Sequence, residues 1–257
     1  MAEYISLRDY AKHLPIEKGD VVFISSDAKL MMLEAMRNKQ KLDLNEFIDG
    51  VIEAVGEEGT ILFPTYNWDF CKGVTFDYKN TECLTGSLGT VALGRDDFRR
   101  TRHPIYSFAV WGKYQDELFA MDNKDSFGVD SPFEFLRAHN AKNIIIDVTL
   151  QHCFTFTHYA EEQSGLVDYR YVKDFTADYI DAAGVTTRRT YSMFVRYLDR
   201  EVIVTIDPIL PDFLEAGVAT KYTINSSDII MVRMGDAYPI LLDDIANNHS
   251  GKICTVR

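Results

Sequence analysis

The pattern of apolar and polar positions divides the chain into two textures. Up to about residue 165, short continuous apolar runs alternate with amphipathic stretches. "DVVFISSDA" predicts a buried strand running into a small-residue loop. "GTILFPTYNW" predicts a second strand, stopped at Pro64, which has no N–H for a ladder. Between them, "LNEFIDGVIEAVG" sets Leu44, Phe47, Ile48, Val51, Ile52 and Val55 at helical spacing and closes near Gly56. "SFAVWG" and "NIIIDVTL" predict a third and a fourth strand. "SLGTVALGR", "YQDELFAM" and "SPFEFLRAH" predict helices, the last with Ser131 as its cap and Pro132 in its first turn. Near the start, "SLRDYAKHL" predicts a short helix capped by Ser6. The stretch "NWDFCKGVTFDYKNTECLTG" is too aromatic for a disordered linker and too irregular for regular structure, so an ordered loop over a site is expected.

Beyond residue 165 the texture changes. "YRYVKDFTADYIDAAGVTTRRTYSMFVRY" alternates and is rich in Tyr, Thr and Val, which predicts an antiparallel subregion over about 168–207. "LPDFLEAGVAT" predicts a helix, and "DIIMVRMGDAYPILLDDIANN" a strand followed by a final helix. The whole reads as a single α/β domain over 1–257. Its central sheet is mostly parallel or mixed and flanked by helices, with an antiparallel C-terminal portion.

Composition adds exclusions. With 257 residues and 46% of them hydrophobic, a core forms without metal or disulfide staples. No run approaches the ~18 apolar residues of a membrane helix, and the charged N-terminal stretch has no signal-peptide core. Cys71, Cys83, Cys153 and Cys254 form no CxxC pair, so reduced thiols and a cytoplasmic location are expected. The net charge of −12 disfavours nucleic acid and would welcome a cationic small molecule. An anionic cofactor would need a local basic patch, and "RDDFRRTRHP" offers Arg95, Arg99, Arg100, Arg102 and His103.

The candidate chemistry centres on "FTFTHYAEEQSG", residues 154–165. His158, Glu161 and Glu162 share one side of a helix, because side chains three or four apart are neighbours there. A core histidine with exposed acids satisfies this spacing. So does a histidine base oriented by Glu161, and that reading gains from position, since ligands bind beyond the carboxyl ends of strands in open α/β sheets. A metal held by His152, His158 and Glu161 lacks a second matching motif. A Cys153/His158 nucleophile pair, five residues apart, falls on the wrong helical face. Ser25 and Ser26 end the first strand where hydroxyl and backbone donors could meet phosphate or amide groups, and Gly128 and Ser131 stand at a helix entrance.

Six pieces, "VVFISSDA", "EEGTILFPTYNWDF", "FDYKNTECLTGSLG", "RTRHPIYSFAVWG", "FGVDSPFEFL" and "TFTHYAEE", occur in the order found in the aminoglycoside 3-N-acetyltransferase family. The resemblance is good over about 15–170 and looser beyond. It implies a fold distinct from GNAT acetyltransferases and acetyl transfer from acetyl-CoA to an amine of an amino sugar. It places the family's histidine on His158, its glutamate on Glu161 and the preceding threonine on Thr155. Coenzyme contacts would fall on Ser25, Ser26, Arg102, His103, Ser107, Gly128 and Ser131, with no metal. The sequence departs from the family pattern at Ile24, where a histidine often stands, and at Asp147 and Gln151, near a usual glycine. The implied partners are acetyl-CoA and an amino-sugar acceptor, with a homodimer left open and neither nucleic acid nor membrane. Arg188, Arg189, Arg196 and Arg200, with Tyr169, Arg170 and Lys173, tilt the expected acceptor toward a nucleotide-linked amino sugar of polysaccharide assembly. A polycationic aminoglycoside is the alternative, and a non-catalytic coenzyme binder the competing class.

Overall fold

The computed structural model describes residues 4–256; residues 1–3 and 257 of the expected domain lie outside the described residues. Among the described residues, seven strands form one mixed sheet in the order β10-β11-β6-β1-β2-β5-β4. They are β1 (Val21–Ser26), β2 (Thr60–Pro64), β4 (Arg99–Arg100), β5 (Phe108–Gly112), β6 (Lys142–Ile146), β10 (Ala219–Ile224) and β11 (Ser227–Arg233). The short β3 (Phe76–Asp77) joins a long hairpin of β7 (Arg170–Ile180) and β8 (Thr186–Arg196), and β9 (Val202–Val204) pairs with β12 (Cys254–Val256). The helices are α1 (Lys29–Arg37), α2 (Leu44–Val55), α3 (Ser87–Leu93), α4 (Gln115–Ala120), α5 (Pro132–Ala138), α6 (Leu150–Cys153), α7 (Phe156–Ser164), α8 (Leu210–Glu215) and α9 (Met234–Asn247).

The centre of the sheet is parallel. β1 pairs in parallel with β2 (Val22↔Ile61) and with β6 (Ile24↔Ile144). Outside these three, pairing is antiparallel: β2 with β5 (Leu62↔Val110), and β6 with β11 (Met231↔Ile144). β1 is buried on both faces, which is why its sequence is continuously apolar. Val22 and Ile24 face a core with Tyr10, Phe47 and Val51, whereas Phe23 faces one with Phe108, Phe133 and Phe156. Burial of each such side chain contributes ~1.5–3 kcal/mol. α2 starts where Asp43 accepts from Asn45 N at 3.0 Å and stops at Gly56, whose φ of +66° an L side chain rarely adopts.

Three local expectations change. The helix predicted from Ser6 is a turn closed by Asp9 N donating to Ser6 Oγ (3.2 Å), followed by a 3₁₀ turn at Tyr10–His13. The loop after β1 is short, since α1 begins at Lys29. The strand in "NIIIDVTL" ends at Ile146, where Asp147 turns the chain at φ +53° and accepts from Asp228 N through Oδ1 (2.9 Å). The functional consequence of the topology lies at β1. The chain leaves it toward β2 on one side and later returns as β6 on the other, so a crevice opens beyond its carboxyl end.

Candidate active site

α7 carries Phe156, Tyr159 and Ala160 inward and ends at Gly165, φ +63°. The tyrosine hydroxyl donates to Glu134 of α5, fixing the helix against its neighbour. That packing sets His158 and Glu161, three residues apart, beside the start of β7. His158 Nδ1 and Glu161 Oε2 are 2.7 Å apart. The carboxylate is 1% exposed and has two more partners. Tyr169 donates its hydroxyl to Oε1 at 2.8 Å. Arg170 Nε lies 2.9 Å from Oε2, an ion pair held off the line of a hydrogen bond. Burial alone would raise the Glu161 pKa, but His158, Arg170 and Tyr169 together draw it below the usual carboxylate value. Burial and the Arg170 charge push His158 below the ordinary histidine value, outweighing the pull of Glu161. The imidazole is therefore a neutral base at pH 7. With Nδ1–H assigned to the carboxylate, Nε2 is left as the acceptor.

Beside this dyad, beyond the carboxyl ends of β1 and β2, is a cleft of about 590 Å³, a size typical of ligand sites. Ser25, Ser26 and Asp27 form its floor, Tyr66 and Trp68 one wall, Thr85–Ser87 a rim, and Val148, Cys153 and Thr155 the far side. Ser25 Oγ is buried without a hydrogen-bond partner. Thr155 is shared: it lines the cleft, and its carbonyl accepts from His158 N at 2.9 Å. The aromatic stretch expected as an irregular loop contributes Trp68 and Leu84–Gly86 to the cleft, but it also holds a 3₁₀ turn at Asp69–Lys72 and the strand β3, since Phe76 pairs with Tyr179 of β7. Cys153 lines the cleft but is disfavoured as a nucleophile, because burial pushes its thiol up to about 12 and its Sγ donates to Thr149 O at 3.2 Å. His152 bonds Thr149 rather than joining His158, and among the described residues no cluster of His, Cys, Asp and Glu could hold a metal ion.

Comparison with known proteins bears on this arrangement. The family model described as aminoglycoside 3-N-acetyltransferase matches residues 28–243. The chain belongs to that family. It is an acyltransferase by this membership. No curated protein sequence matches it. Solved structures share the fold. The YokD protein from Bacillus subtilis superposes with a TM-score of 0.75 at 17% identity, over 98% of this chain and 97% of its own. AAC-IIIb, solved as a binary complex with CoASH, gives 0.76 at 17% over 96% and 98%. AAC-VIa bound to sisomicin gives 0.75 at 16% over 97% and 100%.

In this acetyltransferase only part of the expected site comes together. Ser25, Ser26 and Thr155 line the cleft, with His158 and Glu161 behind Thr155. Arg102, His103, Ser107, Gly128 and Ser131 do not line it. His103 is 1% exposed and its Nδ1 accepts from Tyr106 N (3.1 Å), so it closes a buried turn; burial drops its pKa to about 3, and it carries no charge for phosphate. Ser107 Oγ donates to Thr65 O (2.8 Å) and accepts from Arg100 Nε (2.9 Å) inside the protein. Ser131 caps α5, accepting from Glu134 N at 3.4 Å, and its own N–H donates to Gly128 O at 3.0 Å. Arg102 opens onto a separate cavity. Tyr169 and Arg170, read from sequence as contacts for an acidic acceptor, instead serve Glu161. Their signal was the turn at Gly165, which returns the chain to the face of α7 it has just left.

No helix among the described residues is long and apolar enough to cross a membrane.

Proposed function

We infer that the chain moves the acetyl group of acetyl-CoA to an amine of a polycationic, aminoglycoside-class amino sugar. The observation that carries this reading is the buried His158–Glu161 pair beside a cleft that ends at Thr155. The amine nitrogen attacks the thioester carbonyl carbon and a C–N bond forms. The C–S bond breaks, and CoA leaves as its thiolate. His158 Nε2 accepts the proton from the amine and passes it to the departing sulfur, giving an amide and free CoA thiol. Glu161 holds the ring and offsets the imidazolium charge while it lasts. Thr155 is the proposed donor to the carbonyl oxygen as it gains charge. Ser25, Ser26 and the start of α1 at Lys29 supply donors for the coenzyme at the cleft floor. The orphaned hydroxyl of Ser25 suits that use. The raised pKa of Cys153 supports direct transfer without an acyl-enzyme.

The acceptor expected from sequence, a nucleotide-linked amino sugar, loses its support. Arg188, Arg189 and Arg200 are each paired with an aspartate, and Arg196 bonds Val202 O. Arg188 and Arg200 are held in these surface pairs, and none of the four arginines lines the cleft beside the dyad. Relatives of this fold have been solved with sisomicin and with a gentamicin. Thiol release from acetyl-CoA, measured against aminoglycosides and a nucleotide-linked amino sugar, tests the reading. Turnover is expected with the aminoglycosides and lost in His158→Ala while coenzyme binding persists. Unchanged turnover in His158→Ala would remove the proposed base.

A further inference from the structure

The basic segment "RDDFRRTRHP" is left without a role by the acetyl-transfer chemistry. It forms the edge strand β4 and the turn after it. Arg100 is 3% exposed and, among the described residues, forms no ion pair. Its guanidinium is satisfied only by neutral oxygens: Thr81 O (2.5 Å), Thr65 O (3.1 Å) and Ser107 Oγ (2.9 Å). A buried cation held this way keeps its charge without a counter-ion and makes the surface above it attractive to anions. Arg100 lines a groove with Tyr78 and Phe119, and a neighbouring cavity of about 210 Å³ that shares those two rings lies between Arg102 and Arg189, walled also by Tyr179. Both guanidiniums are flattened onto rings: Arg102 lies 4.7 Å from the centroid of Phe119, and Arg189 lies 4.4 Å from that of Tyr179. Arg102 forms no ion pair among the described residues, and Arg189 is loosely paired with Asp122 at 3.6 Å. Asp181 also lines the cavity, but its Oδ1 accepts from the backbone N–H groups of Ala183 and Val185 at 2.9 Å.

We propose that this cavity binds a small phosphate ester carried on a flat ring, with Arg102 and Arg189 on the phosphate and Tyr78 and Phe119 against the ring. Guanidinium pairs are suited to phosphate, and aromatic walls supply stacking area at little conformational cost. The volume equals that of about seven waters, enough for one ring and one phosphate but not for a whole coenzyme. The site is also remote from the dyad. It lies at the Ile180 end of β7, while Arg170 at the other end touches Glu161, and ten residue steps along an extended strand span about 33 Å.

The test uses the intact enzyme with phenyl phosphate, inorganic phosphate and benzoate as probes, read by calorimetry and by acetyl-transfer kinetics. Phenyl phosphate is expected to bind at least tenfold more tightly than either of the others, and to do so without competing with acetyl-CoA. Arg102→Gln and Arg189→Gln should each weaken it at least tenfold, and Phe119→Ala should erase its advantage over inorganic phosphate. Three results would overturn the proposal: competition with acetyl-CoA, equal affinity in the arginine variants, or benzoate and inorganic phosphate matching phenyl phosphate.

Discussion

Removing the charge of Arg170 isolates what sets the proton affinity of the base. Arg170 Nε lies 2.9 Å from Glu161 Oε2, and His158 Nδ1 lies 2.7 Å from the same oxygen. The two nitrogens are thus separated by no more than those two distances end to end, about 5.6 Å. A unit charge at that range, at an effective dielectric of about 20, opposes an imidazolium by ~3 kcal/mol, a factor of about 100 in proton affinity. The ring keeps 19% of its side-chain surface exposed, and solvent there trims the factor toward tenfold. In Arg170→Met the imidazolium becomes the one cation facing the Glu161 carboxylate at this contact, so its formation is favoured. The acid limb of kcat/KM, which reports the free enzyme's base, should move to higher pH by about one to two units. Arg170→Lys restores a cation and should return the limb close to its original position. The assay is thiol release at subsaturating acetyl-CoA across pH 5 to 9. An acid limb that stays in place or moves to lower pH in Arg170→Met would refute the claim that this guanidinium adds to burial in holding His158 below its ordinary value.

Two further outcomes follow from the packing. Burial, then the facing Asp125 carboxylate, raises the Glu162 pKa to about 8. The folded protein therefore holds this proton above the unfolded value near 4.3, and stability is lost as pH climbs through about 8. Glu162→Gln should raise Tm by several degrees at pH 8.5 and by much less at pH 5, as followed by circular dichroism; equal shifts at both would sink the assignment. Phe108 is fully buried and meets the rings of Phe23, Tyr66 and Phe133 at 5.4–5.6 Å. Phe108→Ala should cost about 3–5 kcal/mol in denaturant unfolding, and it should raise the KM for acetyl-CoA because Tyr66 lines the cleft.

The sequence discloses the dyad and conceals its setting, for a physical reason. His158 and Glu161 are three residues apart on one helix, so local geometry suffices to pair them. Tyr169 and Arg170 reach Glu161 only because Gly165 ends the helix and the chain reverses. Residue pattern alone gives Arg170 the same appearance as Arg188 or Arg200, whose partners are surface aspartates. His103 misleads in the same way: a histidine within a basic run reads as a clamp, while the fold buries it to close a turn. Strand existence was legible because β1 and β2 are buried on both faces, and apolar continuity records burial. The direction of β5 was not. It is as apolar as β2 yet runs against it, since the segment between them, with β3, α3 and β4 in it, sets direction and leaves no trace in either strand's composition.

The location of the base follows from the same topology. β1 is the strand at which the chain changes side, so its carboxyl end is where helices on neighbouring strands diverge and leave a crevice. Ser25 and Ser26 sit at that end by position in the strand, and Thr155 sits there because β6, paired directly with β1, is followed after a few residues by α6 and α7. Thr155 at the start of α7 therefore lines the crevice, and the base three residues further on stands behind it without any long loop to place it. The hairpin that follows brings the Arg170 cation to Glu161 at one end and carries Arg189 toward the other. One antiparallel ribbon thereby adjoins both the dyad, through Arg170, and the groove beside Arg102, through Tyr179 and Arg189.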